Sequence, residues 1–176
     1  MVLDIVNRTN TFTVPDDACP GDFTAATASV TFKDFVSNEL AASGSAPLQI
    51  LDAIPPSLTV TVSPSTLWPP DHKFRDITAT LTVTDHCDQN PKVTLVSVTS
   101  NEPETGFLGN GDQGPDIQGA GLGTDDRLFS LRSERGTGGQ NTGRVYTITY
   151  RASDTSGNTT ETKATVTVPT DGREVP

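Results

Sequence analysis

Aromatic residues are scarce in this sequence: one Trp, two Tyr and seven Phe among 176 residues. Modules that grip sugar rings present several aromatic faces. A glycan site here would rest on Trp68 almost alone. Cations are scarce too, 12 Lys and Arg against 22 Asp and Glu, for a net charge of -10. A phosphate binder needs a basic stripe to displace counterions, so a nucleic-acid partner is excluded. No apolar run approaches the roughly 20 residues that span a bilayer, which argues against membrane insertion. The opening residues 1–6 have neither the charged start nor the apolar core of a signal peptide, so a secretion signal is expected upstream.

Catalytic signatures are absent as well. There is no GxSxG elbow, no HExxH and no phosphate-cradling loop. Paired carboxylates for glycoside hydrolysis need a cleft, which a small sandwich rarely builds without long aromatic-rich loops. The expectation is a protein that is not an enzyme. His72 and His86 are the only histidines, and with Cys87 they give no recognised zinc set. Each reads as a loop side chain satisfied by local hydrogen bonds. The two cysteines, Cys19 and Cys87, permit one disulfide in an oxidising compartment or two free thiols. Sequence alone cannot decide between them, because it does not place the two Cβ atoms.

What is abundant is Thr, the commonest residue, interleaved with Val. Such residues suit a pleated surface with one wet face. Period-two alternation runs through 58–63, 77–83, 93–98, 128–131, 145–150 and 164–168. Turn signals separate these runs: Pro69-Pro70, residues 88–91, a Gly/Asp-rich stretch, and residues 154–158. Short alternating strands with almost no helical periodicity predict an all-β antiparallel sandwich.

Residues 1–56 are less regular. Residues 28–32 read as a strand, while Phe32, Phe35, Val36 and Leu40 have helix-like spacing that predicts a short helix over 33–42. Pro55-Pro56 follows as a semi-rigid junction. The chain therefore divides into an N-terminal extension, small subdomain or part of a preceding module (1–56), a sandwich (57–169) and a flexible tail (170–176).

The connection 101–126 is long for a compact domain, and such loops are usually functional or disordered. Val93 to Asp126 contains no Lys or Arg, yet Glu102, Glu104, Asp112, Asp116, Asp125 and Asp126 all fall there. Calcium takes several oxygen ligands in a flexible arrangement. A calcium site is expected on Glu102, Asp112 and Asp116, supported by Asp125 and Asp126. The segment does not match an EF-hand, because Gly114 stands at the third acidic position. The rival reading is bracing by Arg127, Arg132, Arg135 and Arg144, which flank the loop. Asp154 reads as a turn residue bonding local main-chain N–H groups. Trp68 reads as a packed anchor that pins its loop, against the alternative of an exposed platform.

One ordered series is more specific. Leu67-Trp-Pro-Pro-Asp-His-Lys73 is followed by residues 84–88 (TDHCD), 96–103 (VSVTSNEP), 109–112 (GNGD), 145–150 (VYTITY) and 152–158 (ASDTSGN). Over residues 57–169 this resembles a repeat module of large secreted bacterial proteins, related to HYR and other immunoglobulin-like domains. The resemblance implies an immunoglobulin-like sandwich with a structural, spacing or adhesive role and no enzymatic activity. It implies an extracellular or cell-surface location, a monomer, and neighbouring modules of the same chain as partners, with a glycan or surface protein as a further partner. The alternative is a carbohydrate-binding or accessory domain attached to a secreted enzyme. Such modules more often carry Asn where this chain has Asp71 and His86. They usually pair cysteines within one module; here the module holds Cys87 alone, so the resemblance implies Cys19 as its partner.

Overall fold

The computed structural model of the chain describes residues 13, 15, 17–21, 25–33, 39–105, 114–136 and 143–171. It forms two compact units, Met1–Ala53 and Ile54–Pro176. Among the described residues every regular element is a strand. None of them forms a helix long and apolar enough to cross a membrane.

The first unit holds an antiparallel pair, β1 (Ala25–Lys33) and β2 (Glu39–Pro47). Val30 lies opposite Ala42 and Phe32 opposite Leu40. The helix expected over 33–42 is not formed where the chain is described: Lys33 and Glu39–Ala42 are strand, and 34–38 lie outside the described residues. A ten-residue helix carries the full cost of nucleation. The β-branched Thr27, Val30 and Thr31 favour the extended partner strand instead.

Among its described residues the second unit contains seven strands. They are β3 (Ser57–Ser63), β4 (Phe74–Thr84), β5 (Lys92–Ser100), β6 (Ile117–Gln118), β7 (Leu128–Arg132), β8 (Arg144–Ser153) and β9 (Thr159–Val168). One sheet has the order β3-β4-β7-β6 and the other β5-β8-β9, with antiparallel pairing throughout both. The alternating runs of the sequence all lie within these strands. Their inward residues share one core: Leu58, Ile77, Ala79, Phe129 and Leu131 from the first sheet, with Leu95, Tyr146, Ile148, Tyr150 and Val166 from the second. The expected uninterrupted loop 101–126 is broken by β6, whose Ile117 and Gln118 pair with Leu131 and Ser130.

The last strand closes on the first. Leu67 donates its N–H to the carbonyl of Thr167 at 2.8 Å, and Thr167 donates its N–H to the carbonyl of Ser65 at 2.9 Å. This bridge, Thr66 to Thr167, is parallel. Further back, the Thr162 hydroxyl donates to the carbonyl of Leu58 at 2.9 Å. The segment 58–67 therefore runs alongside 162–167 in the same direction.

Gly143 opens β8 with φ +76, and a Cβ placed there would lie 2.6 Å from the Val168 carbonyl oxygen. The left-handed backbone alone costs a non-glycine residue about 1–2 kcal/mol, and the obstructing atom is backbone that cannot swing aside. Gly143→Ala is expected to destabilise the unit by at least that amount in urea unfolding. A midpoint unchanged from the parent would contradict this account.

Candidate functional site

The acidic residues of the 101–126 segment divide among separate partners. Glu102 and Asp116 converge on Arg144, whose side chain is completely buried at the start of β8. Arg144 donates Nε to Glu102 Oε2 at 3.1 Å and Nη1 to Asp116 Oδ2, and its Nη2 reaches the carbonyl of Pro103 at 3.2 Å. Glu102 Oε2 also accepts the Gly136 N–H at 2.7 Å. Arg132 lies 3.6 Å from the other Asp116 oxygen and donates twice to the carbonyl of Pro115 and once to that of His72. One guanidinium thus ties Glu102 and Pro103, which precede residues 106–113, to Asp116, which follows them.

The electrostatics follow from burial. For Asp116 desolvation is the strongest influence and pushes its carboxyl up, against the pull of Arg144 and Arg132. Burial alone would lower Arg144, yet the hydrogen bond it donates to Asp116 and the nearby Tyr146 leave it raised. Tyr146 donates its hydroxyl to the carbonyl of Arg132 at 2.8 Å, and burial pushes the phenol up to about 12. The arrangement braces a chain segment by tying both of its flanks to one guanidinium.

Asp125 and Asp126 lie elsewhere. Asp125 forms a forked pair with Arg127 at 2.8 and 2.9 Å, exposed on both sides. Asp126 accepts the N–H groups of Gly121 at 2.7 Å and Leu128 at 3.1 Å, closing a turn. The glycine-rich stretch is also stapled to β5: Leu95 donates to Thr124 O at 2.7 Å and Gly123 to Leu95 O at 2.8 Å. These bonds sit beside the register shift between Leu95 and Ser97. Asp112 lies outside the described residues. Among those described, no three of the expected calcium ligands bring their oxygens within 4.8 Å of one another.

An acidic pair that the sequence reading passed over lies at the β4–β5 and β8–β9 turns. Asp85 and Asp154 bring carboxylate oxygens within 4.8 Å of one another. Asp85 Oδ1 accepts the N–H groups of Cys87 and Asp88 at 2.9 and 2.8 Å. Asp154 accepts the backbone N–H and the side-chain amide of Asn158, both at 2.8 Å. Asp88 caps the neighbouring turn by accepting the Thr155 N–H at 3.0 Å. The DxxD and DxxxN spacings were visible in the sequence, but only the sandwich brings the two turns together.

For Asp154, desolvation raises the carboxyl, and the bonds from Asn158, Gly157 and Ser156 outweigh it and hold it below the usual range. A carboxylate with a depressed folded value stabilises fully above its unfolded value, about 3.9, and loses that contribution as pH falls through the folded one. Asp154→Ala is therefore expected to flatten the acid limb of a stability-against-pH curve below about pH 4. An unchanged slope would show that the turn does not titrate with folding.

His72 is half-exposed, with φ +61 and its Nδ1 2.7 Å from the buried Glu134 Oε2. Its partner is thus 62 residues away rather than local. Trp68 is 40% exposed while Leu67 is only 1% exposed. The anchor role expected of Trp68 falls to its neighbour. Successive side chains of an extended chain point to opposite faces, so Leu67 turns inward and Trp68 outward. Both cysteines are disulfide-bonded.

No family model, no curated protein and no solved structure matches this chain.

Proposed function

We propose that the second unit is a non-catalytic spacer module of a larger extracellular protein, built on the immunoglobulin-like plan. The observation that carries this reading is the parallel bridge between Thr66, just past the end of β3, and Thr167 in β9. Because segment 58–67 and β9 run the same way, the chain enters the sandwich at one end and leaves at the other. Ten residues of strand span about 33 Å, so each such unit advances the chain by roughly its own length.

Three further features support the plan. The strand orders β3-β4-β7-β6 and β5-β8-β9 correspond to the ABED and CFG sheets of a constant-type immunoglobulin domain. Tyr146, near the start of β8, bonds back to the carbonyl of Arg132 at the end of β7, which ties the two sheets together. The disulfide-bonded cysteines favour an oxidising, extracellular setting. Glu102, Asp116, Asp125 and Asp126 of the acidic segment that suggested a ligand site are committed to arginines and turn amides, which favours bracing over binding.

The exposed Trp68 supports the second reading, an adhesive or glycan-binding module. A glycan array run with and without calcium, with Trp68→Ala as control, separates the two. The spacer reading expects no signal above background and a monomer by light scattering. Specific glycan binding lost in Trp68→Ala would replace it with the adhesive one.

A further inference from the structure

We propose that Asp85 and Asp154 hold a calcium ion at the end of the second unit where the β4–β5 and β8–β9 turns meet. This goes beyond the spacer reading and stands or falls apart from it. Each aspartate opens its turn: Asp85 directly follows β4, and Asp154 directly follows β8. Asp88 of the first turn accepts the N–H of Thr155 in the second at 3.0 Å, which fixes the two turns against each other. Carboxylate oxygens of Asp85 and Asp154 thereby come within 4.8 Å of one another.

Hydrogen bonding within the turns leaves this pair incompletely satisfied. Asp85 uses Oδ1 to accept the N–H groups of Cys87 and Asp88. Its Oδ2 is sealed from solvent and accepts no hydrogen bond. Asp154 is only 8% exposed, and its turn amides hold it below the usual carboxylate range, so it stays anionic at neutral pH. Two negative groups shut away from water repel each other, and a buried oxygen with no donor is costly. The other sealed carboxylate oxygens without a hydrogen bond are on Asp116 and Glu134, and these lie beside Arg132 and Arg144. Among the described residues neither Asp85 nor Asp154 forms an ion pair with Lys, Arg or His. A cation supplies the missing counter-charge. Oxygens bound to one calcium at about 2.3–2.6 Å lie no more than about 5 Å apart, so one ion can reach both carboxylates. The donors are oxygens, and the neighbouring Cys87 is disulfide-bonded, which favours a hard cation over zinc. Calcium rather than magnesium accepts an irregular set completed by carbonyls and water. Because β4 belongs to one sheet and β5, β8 and β9 to the other, the ion ties the two sheets at this end.

The test is thermal unfolding of the full chain in calcium and in EDTA, with the disulfide intact. With calcium at about a hundred times its Kd, the melting temperature is expected to rise by roughly 5–10 °C over the value in EDTA. Asp85→Asn keeps an oxygen to accept from Cys87 and Asp88 but loses the charge, and it is expected to abolish the rise. Asp112→Asn and Asp125→Asn, both in the acidic segment, are expected to keep it. No rise in the unsubstituted chain would overturn the site. So would a rise kept in Asp85→Asn and lost in Asp112→Asn, which would return the cation to the acidic segment. Should Asp85→Asn not fold, hydrogen exchange on the unsubstituted chain locates the ion. Calcium is expected to slow exchange at residues 85–91 and 154–158, and slowing confined to 101–126 would overturn the assignment.

Discussion

Arg144→Met is expected to cost the second unit about 3–5 kcal/mol, the usual penalty for leaving buried charge without its counter-charge. Both its side chain and that of Asp116 are almost wholly out of solvent. Methionine fills much of the volume but supplies no donor, so Asp116 loses its hydrogen-bonding cation and Glu102 one of its two donors. Pro103 loses its tie in the same step. For a unit of this size the melting temperature should fall by on the order of 10 °C. Urea unfolding and calorimetry check both figures. Arg127→Met, which removes only an exposed pair, should change stability by less than about 1 kcal/mol.

The same variant separates arginine from calcium as the brace of the acidic segment. If Arg144 does the bracing, its replacement costs the same in calcium as in EDTA. A loss seen only in EDTA would mean that metal substitutes for the guanidinium, and the segment would again be a candidate cation site. A double-mutant cycle with Asp116→Asn adds a second check. Residues in one charge network couple by about 0.5–3 kcal/mol, whereas two independent contributions would simply add.

Leu67→Ala should destabilise the unit by about 2–5 kcal/mol, as truncations of a buried leucine do. Trp68→Ala should cost less than about 1 kcal/mol, in the range of ordinary surface substitutions. The contrast is unusual because tryptophan is the larger residue. It follows from which way the chain faces at this point. Leu67 drops into the core beside Thr167, and Trp68 stands 40% exposed at the surface. Parallel urea titrations of the two variants measure it directly. A larger loss from Trp68→Ala would restore the anchor role to the tryptophan. It would also mean that the Leu67 contacts matter less than their burial indicates.

The strands were legible because their signal is local. Residues 77–83 alternate apolar and polar, and period two survives into β4 with Ile77 and Ala79 facing the core. Residues 145–150 gave β8 in the same way, although Thr149 on the nominally polar face is also buried. The turn at Asp154 was legible for the same reason, since its partner Asn158 is four residues on. The short helix over 33–42 was misread because a spacing of three and four among a few apolar residues does not exclude a strand. Cross-strand pairing then decided the matter.

The fate of the acidic segment was not legible, and the reason is sequence distance. Asp116 and Glu102 meet Arg144 across 28 and 42 residues, and Glu134 meets His72 across 62. Nothing in a one-dimensional pattern separates a carboxylate that will find a guanidinium from one that will find a metal ion. Composition and alternation determined that this chain would form paired strands with one wet face, because those preferences act between neighbours along the chain. The tertiary structure decided which carboxylates are buried and which of residues 67 and 68 enters the core. It also decided that the segment following β3 would run parallel to β9. Each of these depends on elements brought together by the burial of a shared core, and that energy is not a property of any one segment.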